Sequence, residues 1–129
     1  MSSPTVTYKM GGITVTRPLW FQSSTVVCTP AAILLLKTTG FDPTELVKRH
    51  QAGDWGDIPS GDEAINNRGL TQGSMLASRF RLVDSKQIAK TAAAERDHLP
   101  TVLVITDAAL QKGKPLKRHI TTVLTCDDY

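Results

Sequence analysis

The sequence DPTELVKRHQAGDWGD, residues 42–57, decides how this chain is organised. It predicts a short helix with Asp42 as the N-cap and Glu45 three residues later, the arrangement of a capping box. Gly53 is the expected end of that helix, because glycine readily adopts the left-handed conformation that closes one. The turn beyond it holds Trp55 between two aspartates, and we expect the indole to pack into the core and lock the turn.

The remaining elements are predicted outward from this stretch. β-branched residues at 25–29 predict a strand, and the apolar run that follows predicts a helix capped by Thr29 and ended by Gly40. A third helix is predicted from a second capping-box pattern at residues 60–63 and should end at Gly73. Three more strands are predicted at residues 75–83, 101–106 and 120–125.

This order of elements indicates a single α+β domain. The last three strands are joined without a long crossover helix, so they should form an antiparallel meander. We expect a mainly antiparallel sheet of about four strands with three helices on one face. Residues 13–129 should form this domain, and residues 1–12, which are polar and end in two glycines, should be a weakly ordered tail.

The composition excludes several classes of protein. Hydrophobic residues make up 40% of the chain and charged residues 21%, which is typical of a globular domain. The longest apolar run, residues 31–36, is too short to span a bilayer, and no apolar signal core follows the N-terminus. We therefore expect no membrane association and a cytoplasmic location. No phosphate-binding loop, dinucleotide glycine pattern or nucleophile elbow is present, so no cofactor is expected.

One group of residues could carry catalysis. His50, Asp54 and Asp57 lie within eight residues, and an imidazole with two carboxylates suits a divalent metal or general acid–base chemistry. The same residues also have structural explanations, since a histidine in a last helical turn interacts well with the helix dipole and aspartates favour turns. With one local histidine, the sequence favours no metal site, and Gly53, Trp55 and Gly56 are interpreted as a structural turn.

Positive charge is concentrated in residues 79–119, which hold nine basic and four acidic residues. Such an asymmetry permits contact with a polyanion or with an acidic protein surface. A stripe of this kind could follow a phosphate backbone without reading base sequence. The candidate binding residues are Arg79, Arg81, Lys86, Lys90, Lys112, Lys114, Lys117 and Arg118.

Several blocks of the sequence resemble a known family. VVCTPAA at residues 26–32 and HQAGDWGD at residues 50–57 are similar to short proteins carried on plasmids and integrative elements, usually labelled plasmid-related proteins. Further similar blocks lie at residues 62–80, 104–108, 120–124 and 127–129. The resemblance implies a bacterial mobile element and a cytoplasmic setting, and it implies no established activity.

Together these observations predict a non-enzymatic accessory protein of a bacterial mobile genetic element. It would act by binding a host or element protein, in an anti-defence or regulatory role. Two alternatives stay open: a nucleic-acid-binding protein using the basic loops at residues 84–99 and 109–119, and a small metal-dependent hydrolase or nuclease using His50, Asp54 and Asp57. The sequence does not indicate an oligomeric state.

Overall fold

The computed structural model of the protein describes residues 4–109 and 118–129. Within these ranges the elements are, in order, β1 Thr5–Met10, β2 Ile13–Pro18, β3 Ser23–Cys28, α1 Pro30–Thr39, α2 Pro43–Gln51, α3 Ser60–Gln72, β4 Leu76–Arg81, α4 Ser85–Lys90, β5 Thr101–Thr106 and β6 Arg118–Thr125. Short 3₁₀ helices lie at Ala93–His98 and Cys126–Asp128. None of the helices in this part of the chain has the length and apolar content needed to cross a membrane.

The main sheet has four strands in the order β3-β6-β5-β4. β5 pairs antiparallel with β4 on one side and with β6 on the other, so the predicted meander is confirmed. β3 lies parallel to β6, because the chain crosses over the sheet through the helices before returning. The predicted α+β fold with a mainly antiparallel sheet is therefore confirmed.

The hydrophobic core lies between α1, α2 and one face of this sheet. Ala32 and Leu36 from α1 and Leu46 and Val47 from α2 pack in a single cluster with buried strand residues. The strand and post-strand members of that cluster are Phe80, Leu82, Val102, Val104 and Val123. α3 lies beside β4, where Gly69 approaches the side chain of Leu76 closely.

The N-terminal prediction is wrong. Residues 5–10 form β1, which pairs with β2 along its whole length in a separate two-stranded sheet. Gly11 and Gly12 both have positive φ, 59° and 79°, and supply the tight turn that joins the strands. The glycine pair therefore marks a hairpin turn, and Tyr8 of β1 is buried against the rest of the protein.

The helix caps are partly as predicted. Thr29 and Gly40 cap α1, and Gly73 ends α3 in the left-handed conformation, as expected. The two capping boxes are wrong. Asp42 does accept a hydrogen bond from Thr44 N at 2.9 Å, but Glu45 accepts one from Lys9 N of β1. The capping position before α3 is Pro59, which has no side-chain acceptor to offer.

Candidate functional site

The turn that follows α2 runs along the outer edge of β4, the edge that faces away from β5. Arg79 N donates to Trp55 O at 3.0 Å, and Asp57 N donates to Arg79 O at 2.7 Å. Gly56 forms a parallel bridge with Arg79. These residues therefore continue the sheet by one short backbone segment beyond β4.

The side chain of Asn66 pairs with the same edge beside the turn. Its amide nitrogen donates to Ala77 O at 2.7 Å, and its amide oxygen accepts from Ala77 N at 3.1 Å. The asparagine thus imitates a neighbouring strand, with one donor and one acceptor. Asn66 and the turn together satisfy the outward-facing backbone groups of Ala77 and Arg79.

Trp55 anchors the turn, as the sequence predicts. Its ring is buried and meets His50 and Trp20 edge-on, with a stacked contact to Phe21. The indole Nε1 donates to Asn67 Oδ1 at 3.1 Å. Gly56 is needed beside it, because φ is +73° and a Cβ there would lie 2.2 Å from Arg79 O.

His50 is fully buried beneath this turn. Its Nδ1 lies 2.5 Å from Ser78 Oγ, and its Nε2 lies 2.9 Å from Thr106 Oγ1. Thr106 Oγ1 in turn lies 2.7 Å from Thr121 Oγ1, so a chain of hydroxyl groups crosses three strands. Burial, together with the charge of Arg118, lowers the pKa of His50 from 6.5 to about 3. The imidazole is therefore neutral, donates through one nitrogen and accepts through the other.

The two aspartates are held by arginines. Asp54 Oδ2 accepts from Arg49 Nε at 2.8 Å, while Asp57 accepts from Arg81 Nε at 2.9 Å and from Arg96 Nη1 at 3.1 Å. Burial alone would raise the pKa of Asp57, but the hydrogen bond and charge of Arg81, together with the neighbouring arginine charges, outweigh it and lower that pKa. Both carboxylates are thus paired with arginine side chains.

The structure does not bring the three predicted catalytic groups together. His50 faces the core, whereas Asp54 and Asp57 line a surface groove, so the imidazole cannot share a ligand with either carboxylate. In residues 4–109 and 118–129, no three histidine, cysteine, aspartate or glutamate side chains are grouped to hold a metal ion.

The groove that contains the aspartates has a volume of about 830 Å³. It separates the turn of the β1–β2 hairpin from the end of β4 and from α4. Its apolar lining residues are Met10, Ile13, Phe41, Phe80, Val83 and Ile88. Ile13 has 66% of its surface exposed, and Met10 is exposed beside it. The groove therefore combines an apolar lining with carboxylates that are already paired.

The predicted basic surface is only partly exposed. Arg81 is buried and donates to Asp57, Asp97 and Thr101. Arg118 is buried too, with Nη2 donating to Gly69 O at 2.8 Å and Nη1 to Ser74 O at 2.7 Å. Placing these two arginines on an exposed surface is thus wrong, because their guanidinium groups satisfy internal acceptors.

The other candidate binding residues have different positions. Lys86 is exposed at the groove, and Lys90 is exposed at the end of α4. Arg79 is half-buried, and its Nε donates to Asp57 O at 2.6 Å. Lys112, Lys114 and Lys117 lie outside the described residues.

Comparison of the chain with protein-family models, with curated proteins and with solved structures finds no match.

Proposed function

We propose that the protein acts by binding a segment of a partner protein in this groove, as an accessory protein of a bacterial mobile genetic element. The observation that carries the proposal is the exposure of Ile13 and Met10 at the rim of an apolar cleft. Exposed apolar side chains around a concave lining are typical of sites where a partner's side chains are buried. The mobile-element setting rests on the sequence resemblance alone.

The state of the charged groups favours binding over catalysis. A general base must be able to reach a substrate proton, and the imidazole of His50 has no exposed surface. The carboxylate of Asp57 is hydrogen-bonded by two arginines, and its lowered pKa makes it a weak base. These contacts support a structural role for the residues that the hydrolase alternative requires.

The lining also indicates what kind of segment would fit. Phe41 is half-buried in the lining, whereas Phe80 is buried beneath Arg49, whose guanidinium lies 4.5 Å from the centroid of the Phe80 ring. The lining holds three basic and three acidic side chains, and Arg49 is paired with Asp54, so the groove has little net charge to offer a strongly charged ligand. A segment with one or two apolar anchors flanked by polar residues matches this surface best.

Site-specific photo-crosslinking in bacteria that carry the element tests the proposal. A photoreactive residue at Ile13 should give one adduct of defined mass, whereas the same residue at Ile65 should give none. Ile65 is a fair control because it is 51% exposed and lies on α3, outside the groove lining. Equal labelling from both positions, or none from Ile13, contradicts the proposal.

Binding to the captured partner then provides a quantitative test. Ile13→Lys should weaken the complex about tenfold or more, since it places a charge at an apolar contact. Ile65→Lys should leave the affinity unchanged. Calorimetry or surface plasmon resonance measures both, and equal affinities of the two variants would place the contact elsewhere.

The nucleic-acid alternative predicts a different result. A basic stripe should retard duplex or single-stranded DNA at low salt, and the retardation should fall steeply as salt rises. Changing Lys86, Lys90, Lys112, Lys114 and Lys117 together to alanine should abolish it, while Ile13→Lys should not weaken it. No retardation at high micromolar protein would end this alternative.

A further inference from the structure

β3 forms one end of the main sheet, and its outer edge differs from that of β4. Thr29 N, directly after β3, donates to Val123 O of β6 at 2.9 Å. Backbone groups of alternate residues point to the same side of a strand, so Thr25 and Val27 also face β6. Ser24, Val26 and Cys28 consequently direct their N–H and C=O groups away from the sheet.

These outward groups are unpaired in the part of the chain that the structure describes. Within residues 4–109 and 118–129, no backbone or side-chain group hydrogen-bonds to the N–H or C=O of Ser24, Val26 or Cys28. Val26 is 46% exposed and Val27 is 44% exposed, and they project to opposite faces of the sheet. The outer edge of β3 therefore presents both hydrogen-bonding groups and apolar surface.

The sequence of β3, SSTVVC, has no residue that would discourage strand pairing. Exposed edge strands are normally protected by a charged side chain, a proline or a covering element. β3 contains neither charge nor proline, although the chain protects the opposite edge with Asn66 and the turn. With no cover from residues 4–109 or 118–129, this edge is suited to pairing with another strand.

We propose that β3 pairs with β3 of a second copy of this chain, antiparallel, across a two-fold axis at Val26. This register is self-complementary, because the outward residues are symmetric about Val26. Val26 would exchange two hydrogen bonds with its counterpart, and Ser24 would lie opposite Cys28 of the second copy and exchange two more on each side. The four-stranded sheet would become a continuous sheet of eight strands.

The side chains of β3 also suit a second copy of this chain as the partner. Val26 would meet its counterpart on the face that carries the helices, and Val27 would lie across from Thr25 on the other face. A second copy brings no charged residue in β3 and therefore no like-charge repulsion at the contact. A closed two-fold pair also uses up the edge, so association stops at the dimer. This interface is separate from the groove at Ile13 and does not depend on the proposed function.

Sedimentation velocity of the full chain over a concentration series from about 1 to several hundred micromolar is the first test. The wild type should shift from monomer to dimer, and Val26→Lys should raise the dissociation constant about tenfold or more by placing two ammonium groups at the axis. Ile65→Lys should dimerise as the wild type does. It changes an aliphatic residue of similar exposure on α3, which packs beside β4 at the opposite edge.

Thermal unfolding at low concentration shows that the variants are folded. Because Val26 is exposed and its outward groups have no partner among the described residues, Val26→Lys should melt within a few degrees of wild type in the monomeric range. A wild type that stays monomeric at every concentration overturns the proposal and leaves the edge to a different partner. A dimer that Val26→Lys does not weaken overturns it as well.

Disulfide trapping tests the register itself. In a Cys28→Ser, Cys126→Ser background, Val26→Cys should crosslink rapidly under mild oxidation, because a hydrogen-bonded antiparallel pair has its Cα atoms about 5.5 Å apart, within disulfide range. Val27→Cys, which is similarly exposed, should crosslink at least about tenfold more slowly, because each Val27 lies opposite Thr25 and two residues from its counterpart. Faster trapping at Val27 would contradict a two-fold axis at Val26.

Discussion

The two outer edges of the main sheet are treated in opposite ways. At β4, the side chain of Asn66 and the backbone of the turn after α2 pair the outward groups of Ala77 and Arg79. At β3, the outward groups of Ser24, Val26 and Cys28 meet no partner among residues 4–109 and 118–129. The described residues therefore include one edge that the fold covers and one that it leaves open, and we propose that a second copy pairs with the open edge.

The protected edge explains why the most distinctive part of the sequence is structural. The block at residues 50–57 supplies a buried imidazole, a buried indole and a turn that extends the sheet. His50, Asp54 and Asp57 suggest catalysis when only the sequence is considered. In the structure they belong to the turn that pairs with the edge of β4 and to the buried contacts beneath that turn. The unprotected edge, by contrast, is built from a plain stretch of serine, threonine and valine.

The largest effect should come from the turn that protects β4. Trp55→Ala should lower the free energy of unfolding by about 3–5 kcal/mol, because it removes a buried aromatic ring from contacts with three other rings. Trp20→Ala is the control, since Trp20 is half exposed, and it should cost roughly 1 kcal/mol. Urea denaturation measures both. Equal losses would show that the turn does not depend on Trp55.

Asn66 should have the next largest effect. Asn66→Ala leaves the N–H and C=O of Ala77 without their partner, which should cost about 2–4 kcal/mol. Asn67→Ala removes a single hydrogen bond from an exposed neighbour and should cost about 1 kcal/mol. Hydrogen exchange can test the cause: the amide of Ala77 should lose protection in Asn66→Ala and keep it in Asn67→Ala.

His50 ties the protected strand to β5 and makes stability depend on pH. Its pKa is about 3 in the folded protein and about 6.5 when unfolded, so between these values only the unfolded chain takes up the proton. The free energy of unfolding should therefore fall as pH falls below 6.5, by about 1.5 kcal/mol between pH 6.5 and pH 5. Above pH 7 this contribution should be constant.

The matched variant for this pH dependence is His50→Gln, which can still hydrogen-bond but does not titrate. Its loss of stability between pH 6.5 and pH 5 should be smaller than that of the wild type by the same amount. Urea denaturation at several pH values measures how the free energy of unfolding of each protein depends on pH. If the free energies of unfolding of the two proteins changed with pH by the same amount, the pKa of His50 would be the same in the folded and unfolded states.

The smallest effect is expected at the unprotected edge. Val27→Thr should change the free energy of unfolding of the monomer by less than about 0.5 kcal/mol, because the side chain is exposed. Val104→Thr introduces the same hydroxyl at a fully buried position of β5 and should cost about 1–3 kcal/mol. Measurements at low micromolar concentration keep dimerisation out of the comparison. A large loss at Val27 would show that this edge is covered.

Much of the fold could be predicted from local signals. Thr29, Gly40 and Gly73 mark helix ends through backbone preferences that act within a few residues, and the structure confirms them. The β1–β2 hairpin was missed although the signal was present, since two glycines between strand-forming residues favour a tight turn. Trp55 could be assigned to the core from its chemistry and its place in a short turn.

The candidate site was harder to predict, because its contacts join residues that are distant in sequence. Arg81 reaches Asp57 and Asp97, and Arg118 reaches Gly69 O, over separations that no local pattern reports. The rim of the groove includes Ile13 and Met10, and Met10 lies in the segment that was interpreted as a tail. Because Arg81 and Arg118 are buried, the number of basic residues in the sequence overstated the basic surface that is exposed.

The sequence by itself determined the class of fold, the order of the main elements and the structural character of the turn at Trp55. These depend on hydrophobic pattern, capping and backbone conformation, which are local properties of a chain. Only the tertiary structure decided which groups are available to other molecules. His50, Arg81 and Arg118 are buried and hydrogen-bonded to other parts of the chain. Polar side chains can be buried in this way because the fold supplies hydrogen-bond partners that replace water. The exposed edge of β3 is set in the same way, by where the sheet ends.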